Sequence, residues 1–194
     1  MTIYLLRHSE TEWNTHRRFQ GHLDSPLTDE GIAQAHANAA TLRQLLPGIA
    51  DVTIDSSPLG RAHRTAEIVA DEIGIARQEI RINDLLKEAS FGVWQGLTWD
   101  EVAARFPGEI EKRETTRWTY RIPEGEPYCQ TYERAEEFLR TPCPTHTRVV
   151  VAHEVISRCI RGAYAGLTPE QLLDTRHPHD MIYRLKDGRI DEIS

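Results

Sequence analysis

Arg7 and His8 follow directly on the apolar run Ile3-Tyr4-Leu5-Leu6. A short continuous apolar run reads as a buried strand, so a guanidinium and an imidazole emerge where that strand ends. Together they could do phosphoryl chemistry: the arginine grips phosphate oxygens with its planar fork while the imidazole attacks phosphorus. The competing reading is a solvated Arg-His pair in a loop. Two further junctions repeat the pattern. Asp55-Ser56-Ser57-Pro58-Leu59-Gly60 leads from a second apolar stretch to Arg61, and Val149-Val150-Val151-Ala152 runs into His153. If these strands are parallel neighbours, Arg7, His8, Arg61 and His153 converge on one edge of a sheet, where ligands bind in open α/β folds. Helices starting there would add free backbone N–H groups and partial positive charge. The sum is an anion pocket.

The elements that must position these residues alternate strand and helix, which predicts an α/β fold: a three-layer α/β/α sandwich with a mostly parallel central sheet. Strands are expected at 3–6, 52–54 and 149–152, a further one at 78–82, and a terminal hairpin at 181–185 and 189–193 around Asp187-Gly188. Thr28 reads as the N-cap of a helix with Ile32, Ala35, Ala39, Leu42 and Leu46 on one face, stopped by Pro47-Gly48. Ser57-Pro58 reads as an N-cap with proline at the first helical position, opening a helix that Gly74 closes. Short helices are expected near 98–106 and 108–118, and longer ones over 128–140 and after His153. The chain is read as one domain, 1–194, with a lid or specificity insert at about 98–130.

Bulk composition narrows the function classes. A net charge of −7 argues against nucleic acid or an anionic membrane as partner, yet leaves room for a small phosphorylated metabolite in a locally basic pocket. No apolar run is long enough to span a membrane. The N-terminus lacks a secretory pattern. Cys129, Cys143 and Cys159 form no even set and no CxxC, so they are read as packing residues in a reduced, cytoplasmic setting, in a monomer or homodimer.

The ordered motifs carry a resemblance. RHSETEWN at 7–14, Phe19-Gln20-Gly21 with Asp24-Ser25-Pro26-Leu27-Thr28, and Ser56-Ser57-Pro58-Leu59-Gly60-Arg61-Ala62 with Thr65-Ala66-Glu67 come first. Leu86-Lys87-Glu88 with Phe91-Gly92 and Trp94, Pro123-Glu124-Gly125-Glu126, and Val151-Ala152-His153 follow in order. The chain thereby resembles the histidine phosphatase superfamily, the phosphoglycerate-mutase-like proteins, and its small bacterial phosphatase branch in particular. The resemblance implies a phosphatase acting on small phosphomonoesters. His8 would become phosphohistidine, Glu88 would protonate the leaving oxygen, and Arg7, Asn14, Arg61 and His153 would hold the phosphoryl group. Gln20 and Gly21 would lie nearby. No metal and no cofactor is implied. Phosphoryl transfer depends chiefly on positioning and charge stabilisation, which suits these residue types. Burial of Glu88 among Phe91 and Trp94 is expected to raise its pKa.

Two positions depart from the family pattern, both glycine in the usual signature: Ser9 after the nucleophile and Glu154 after His153. Ser9 is expected to bond the phosphate or crowd it slightly. Glu154 either points to solvent from a helix first turn or lines the pocket mouth and favours a substrate with a cationic group. Two alternative functions accompany these departures, a phosphoglycerate-mutase-type phosphotransferase and a catalytically weak phosphoester-binding module. His177-Pro178-His179-Asp180 reads as the lead-in to the terminal strand. His16, His22, His36 and His63 read as solvated, His22 lying in a loop able to roof the pocket. Arg113, Arg117 and Arg121 with Trp118 are solvated or touch the leaving group from the insert.

Overall fold

The structure, a computed structural model, describes residues 1–46 and 49–194. Six strands form one sheet: β1 (Thr2–Arg7), β2 (Val52–Ser56), β3 (Arg81–Ile82), β4 (Thr147–Ala152), β5 (Ile182–Lys186) and β6 (Arg189–Ile193), in the order β3-β2-β4-β1-β5-β6. The first four run parallel, and the hairpin β5–β6 adds antiparallel to β1. Helices are α1 (Glu12–Thr15), α2 (Asp29–Leu45), α3 (Gly60–Ile73), α4 (Trp99–Arg105), α5 (Glu109–Thr115), α6 (Tyr128–Arg140), α7 (Glu154–Ala165) and α8 (Pro169–Asp174).

Strand alternation sorts the core into two layers. Ile3, Leu5, Val150 and Ala152 face α6 and α7, packing on Phe138, Ile156 and Ile160. Tyr4, Leu6, Val149 and Val151 face α2 and α3, packing on Leu42, Ala66 and Val69. The expected α/β/α sandwich is therefore present. Each such buried aliphatic side chain contributes roughly 1.5–3 kcal/mol, so the rows of β1 and β4, not the two-residue β3, hold the sheet. A third cluster of Trp94, Val102 and Ile122 with Phe19 and Phe91 lies under the 98–130 segment. Among the described residues, no helix is long and apolar enough to cross a membrane.

Some boundaries differ from expectation for local reasons. Helix α3 starts at Gly60 with Leu59 as cap, without a side-chain cap bond. Ser57 Oγ still accepts from Leu59 N, two residues on, at 3.3 Å and also pairs with His153 Nε2 at 2.8 Å, but the helix proper begins only at Gly60. Residues Arg77–Glu79 wind into a short 3₁₀ turn, leaving only Arg81–Ile82 of the expected 78–82 strand in the sheet. The expected stop at Pro47-Gly48 lies outside the described residues. Helix α8 was not expected, although Thr168-Pro169-Glu170-Gln171 spells a capping box with proline in the first turn.

Candidate active site

The register sets the site. Arg7 pairs with Ala152 and Ser56 with Val151, so β1, β2 and β4 end level and the residues after them meet at one edge. His8 N donates to Ala152 O at 2.9 Å, carrying the ladder one residue further. The His8 ring is held by its own loop: Nδ1 lies 2.8 Å from Ser9 O, which can only accept. That contact puts the hydrogen on Nδ1 and leaves the lone pair on Nε2. Arg61 Nε donates to that Nε2 at 3.3 Å. Burial, then Arg61, His153, Arg7 and His179, hold His8 well below the usual 6.5. The imidazole is neutral and its lone pair is available as a nucleophile.

Arg61 is fixed on nearly every side. Its Nη1 donates to Leu23 O at 2.7 Å and Asp24 Oδ1 at 3.0 Å, and its Nη2 to Gly21 O at 2.8 Å. Gly21 adopts φ +55°, and a Cβ there would meet Gln95 and the Phe91 backbone, so glycine lets this loop come close enough to bind the arginine. Arg7 donates through Nη1 to Glu154 Oε2 at 2.9 Å and to His177 O at 3.0 Å. His153 is buried with its ring 5.1 Å from that of His8, and its Nδ1 has no partner among the described residues.

Glu88 is buried at the start of α7. Its Oε1 accepts from Ala89 N, Val155 N and Ile156 N, while Oε2 shares only the Val155 donor. Oε2 is thus the oxygen able to carry a proton. Burial raises the Glu88 pKa and outweighs these N–H donors and Arg61, which lower it. Phe91 lines the cavity beside Glu88, whereas Trp94 belongs to the separate cluster under the insert. The helix N-termini present fewer free N–H groups than expected from sequence. Glu88 takes those of Val155 and Ile156 in α7, and Asp24 Oδ1 takes the Arg61 N–H at the start of α3.

Arg7, His8, Arg61, Glu88 and Glu154 share one cavity of about 460 Å³ with Asn14, Gln20 and Gly21. Its remaining wall is Arg17, Arg18, Phe19, Phe91, Trp99 and Val155. Gln20 Nε2 donates to Thr11 Oγ1 at 2.8 Å, and Thr11 in turn makes a reciprocal cap with Asn14. Ser9 does not line the cavity. Its amide is tied to Thr65 Oγ1 and its carbonyl to His8, which turns the side chain into the buried side, where Oγ finds no partner among the described residues. Arg113, Arg117 and Arg121 do not line it either; Arg121 bonds Gly125 O and Gln130.

The 175–181 segment is more than a lead-in to β5. His179 Nδ1 meets His8 O at 2.6 Å with the two rings 5.4 Å apart, and burial chiefly pushes His179 down to about 4. His177 is buried, with Nε2 3.1 Å from Met181 O. His22, exposed on its own loop, reaches Glu88 O through Nε2 at 2.9 Å. Two histidines two apart beside a proline gave no periodic signal, so only the topology that lays β5 beside β1 places them here.

This histidine cluster has a measurable cost in acid. His8, His153 and His177 are all held well below 6.5 by burial first, so they stay neutral in the fold while the unfolded chain protonates them near 6.5. Their contribution is complete above that value and is lost as pH falls through it. Each proton is worth about 1.4 kcal/mol per pH unit. Glu88 acts in the opposite sense, its raised pKa favouring the fold as pH falls, and offsets one proton where the windows overlap. Urea unfolding should lose about 3–4 kcal/mol per pH unit just below pH 6. A flat profile between about pH 5 and pH 7 would mean these imidazoles are not buried neutral.

Against this geometry, the family model described as histidine phosphatase superfamily (branch 1) matches residues 3–188. The chain is 35% identical over 172 residues to "Probable phosphoglycerate mutase GpmB" of Escherichia fergusonii, covering 86% of this chain and 76% of that relative. It is similar to the solved Bacillus stearothermophilus YhfR, with a TM-score of 0.78 at 30% identity over 98% of this chain and 94% of that one. The mycobacterial glucosyl-3-phosphoglycerate phosphatase, solved with VO3, gives a TM-score of 0.80 at 25% identity over 98% and 97%. The alpha-ribazole phosphatase of Shigella flexneri shares the fold, with a TM-score of 0.81 at 23% identity over 98% and 93%. Ordered motifs, a strand edge that gathers two arginines and two imidazoles, and a family match over nearly the whole length agree: the chain belongs to the histidine phosphatase superfamily, branch 1.

Proposed function

We propose that the protein hydrolyses small phosphomonoesters through a phosphohistidine on His8. The observation that carries this reading is the His8 Nε2 lone pair, aimed by its own loop and sharing a cavity with Arg7, Arg61 and Glu88. Nε2 attacks phosphorus in line as the ester P–O bond breaks, and Glu88 gives its proton to the departing oxygen. The arginines balance charge on the equatorial oxygens. Water then attacks the phosphohistidine with Glu88 as base, the N–P bond breaks, and inorganic phosphate leaves. The reaction so written uses no metal or cofactor, and the partner is a small phosphorylated metabolite.

The GpmB relative motivates a second reading, a mutase that returns the phosphoryl group to an alcohol. Incubation with phosphoglycerates separates the two: a phosphatase releases inorganic phosphate, while a mutase interconverts the isomers. The cavity also speaks to the leaving group. Phe19, Phe91 and Trp99 stack edge to face at 4.7–5.2 Å along its wall, and Trp99 is 41% exposed there. An aromatic contact is worth about 0.5–1.5 kcal/mol beyond area, so 3-phenylpropyl phosphate should exceed propyl phosphate in kcat/KM by roughly tenfold. Trp99→Ala should narrow that ratio. Equal rates for the two esters in the unaltered protein would remove the aromatic wall from the account.

A further inference from the structure

Glu154 stands where the family signature has glycine, and its carboxylate is spoken for. Oε2 accepts from Arg7 Nη1 at 2.9 Å and from His177 N at 3.2 Å, and Oε1 lies 3.8 Å from Arg158 Nη1. Its side chain is 20% exposed, against 17% for Arg7. Glu154 does line the cavity, as one of the two alternatives from sequence had it, but a carboxylate engaged by two guanidiniums and a backbone amide is not waiting for a cationic substrate. It does not simply face solvent either.

The donors of Arg7 show what the pairing achieves. Nη1 is consumed by Glu154 and the His177 carbonyl. Nε is buried and has no partner among the described residues, and Nη2 donates to none of them. One edge of the guanidinium is therefore anchored and the Nε–Nη2 edge is left as a free fork. Such an edge meets a phosphoryl group with two parallel hydrogen bonds. The anchor also reaches the nucleophile: Glu154 and Arg7 both bind the His177 backbone, and two residues on His179 bonds the His8 carbonyl. A ring of contacts closes from the end of β1 through the first turn of α7 and the 175–181 segment back to His8.

We infer that Glu154 is a positioning residue that aims the Arg7 fork at the phosphoryl group and, as a fixed counter-charge, loosens the grip on product phosphate. This inference rests on the phosphatase reading for its kinetic half only. Its binding half concerns inorganic phosphate and holds for any site that takes that anion.

Two variants separate the roles. Glu154→Gln keeps an acceptor for Arg7 but removes the charge, and Glu154→Ala removes both while favouring the helix. Calorimetric titration with inorganic phosphate should show about tenfold tighter binding in Glu154→Gln, the scale of one partly screened charge at close range. In Glu154→Ala, kcat for an aryl phosphate should fall about tenfold below that of Glu154→Gln, because an unanchored fork misplaces the phosphoryl group. Thermal melting confirms that both variants are folded. Unchanged phosphate affinity in Glu154→Gln, or equal kcat in the two variants, overturns the inference, since lost packing alone moves neither quantity in this pattern. If phosphate binding tightens but no ester is turned over by any form, the counter-charge stands and the phosphatase reading falls.

Discussion

His8→Ala should abolish inorganic phosphate release from every ester the protein accepts, by at least about 10⁴-fold, the scale on which deleting a nucleophile acts. Among the described residues, no neighbouring imidazole is placed to substitute. Neither His153, whose Nε2 is engaged by Ser57 Oγ, nor His179 lines the cavity, whereas His8 does. His8 is the one ring in this cluster whose Nε2 meets only the Arg61 N–H. The loss should be in kcat, while phosphate affinity persists because Arg7 and Arg61 remain. Residual turnover within tenfold of the unaltered protein would move the nucleophile elsewhere.

Glu88→Gln should cost about 10²–10⁴-fold in kcat/KM for alkyl phosphates, whose leaving alkoxide needs a proton. Nitrophenyl esters should lose much less, since a stable phenolate departs unaided. The pH profile follows from the direction of the shift. Burial raises the Glu88 pKa, and the general acid works only while protonated. Activity on alkyl phosphates should therefore decline as pH rises through that raised value, and the decline should vanish in Glu88→Gln. The acidic limb should stay far from 6.5 in both proteins, because His8 resists protonation. A basic limb unchanged in Glu88→Gln would exclude Glu88 as the proton donor.

Much of this site was legible from residue types at strand ends. A continuous apolar strand must be buried, so whatever follows it surfaces at the sheet edge, and Arg7, His8, Arg61 and His153 meet there as expected. Helix periodicity and capping residues likewise placed α2 behind Thr28 and closed α3 at Gly74. What stayed hidden were contacts between segments distant in sequence. Nothing local distinguishes a carboxylate in a helix first turn facing solvent from Glu154, which bonds a residue 147 positions away. The same holds for His179, brought to His8 across 171 positions by the antiparallel strand β5. The helix N-termini were read as free because Glu88 and Asp24, which take the Val155, Ile156 and Arg61 N–H groups, come from loops without a periodic signature. Arg17 and Arg18, rather than the arginines of the insert, line the cavity because the chain turns back after α1.

The central claim is a covalent phosphoryl group on His8 Nε2, and trapping it is the most direct measurement. The protein would be mixed with excess aryl phosphate, quenched in base within the first turnovers and digested with trypsin, which cuts after Arg7 and Arg17 and releases residues 8–17. That peptide should carry a single acid-labile phosphoryl group assigned to His8 by fragmentation, absent from controls lacking substrate and from His8→Ala. Continued release of phosphate with no phosphoryl group ever present on His8, or one found on His153 or His179 instead, would contradict the account.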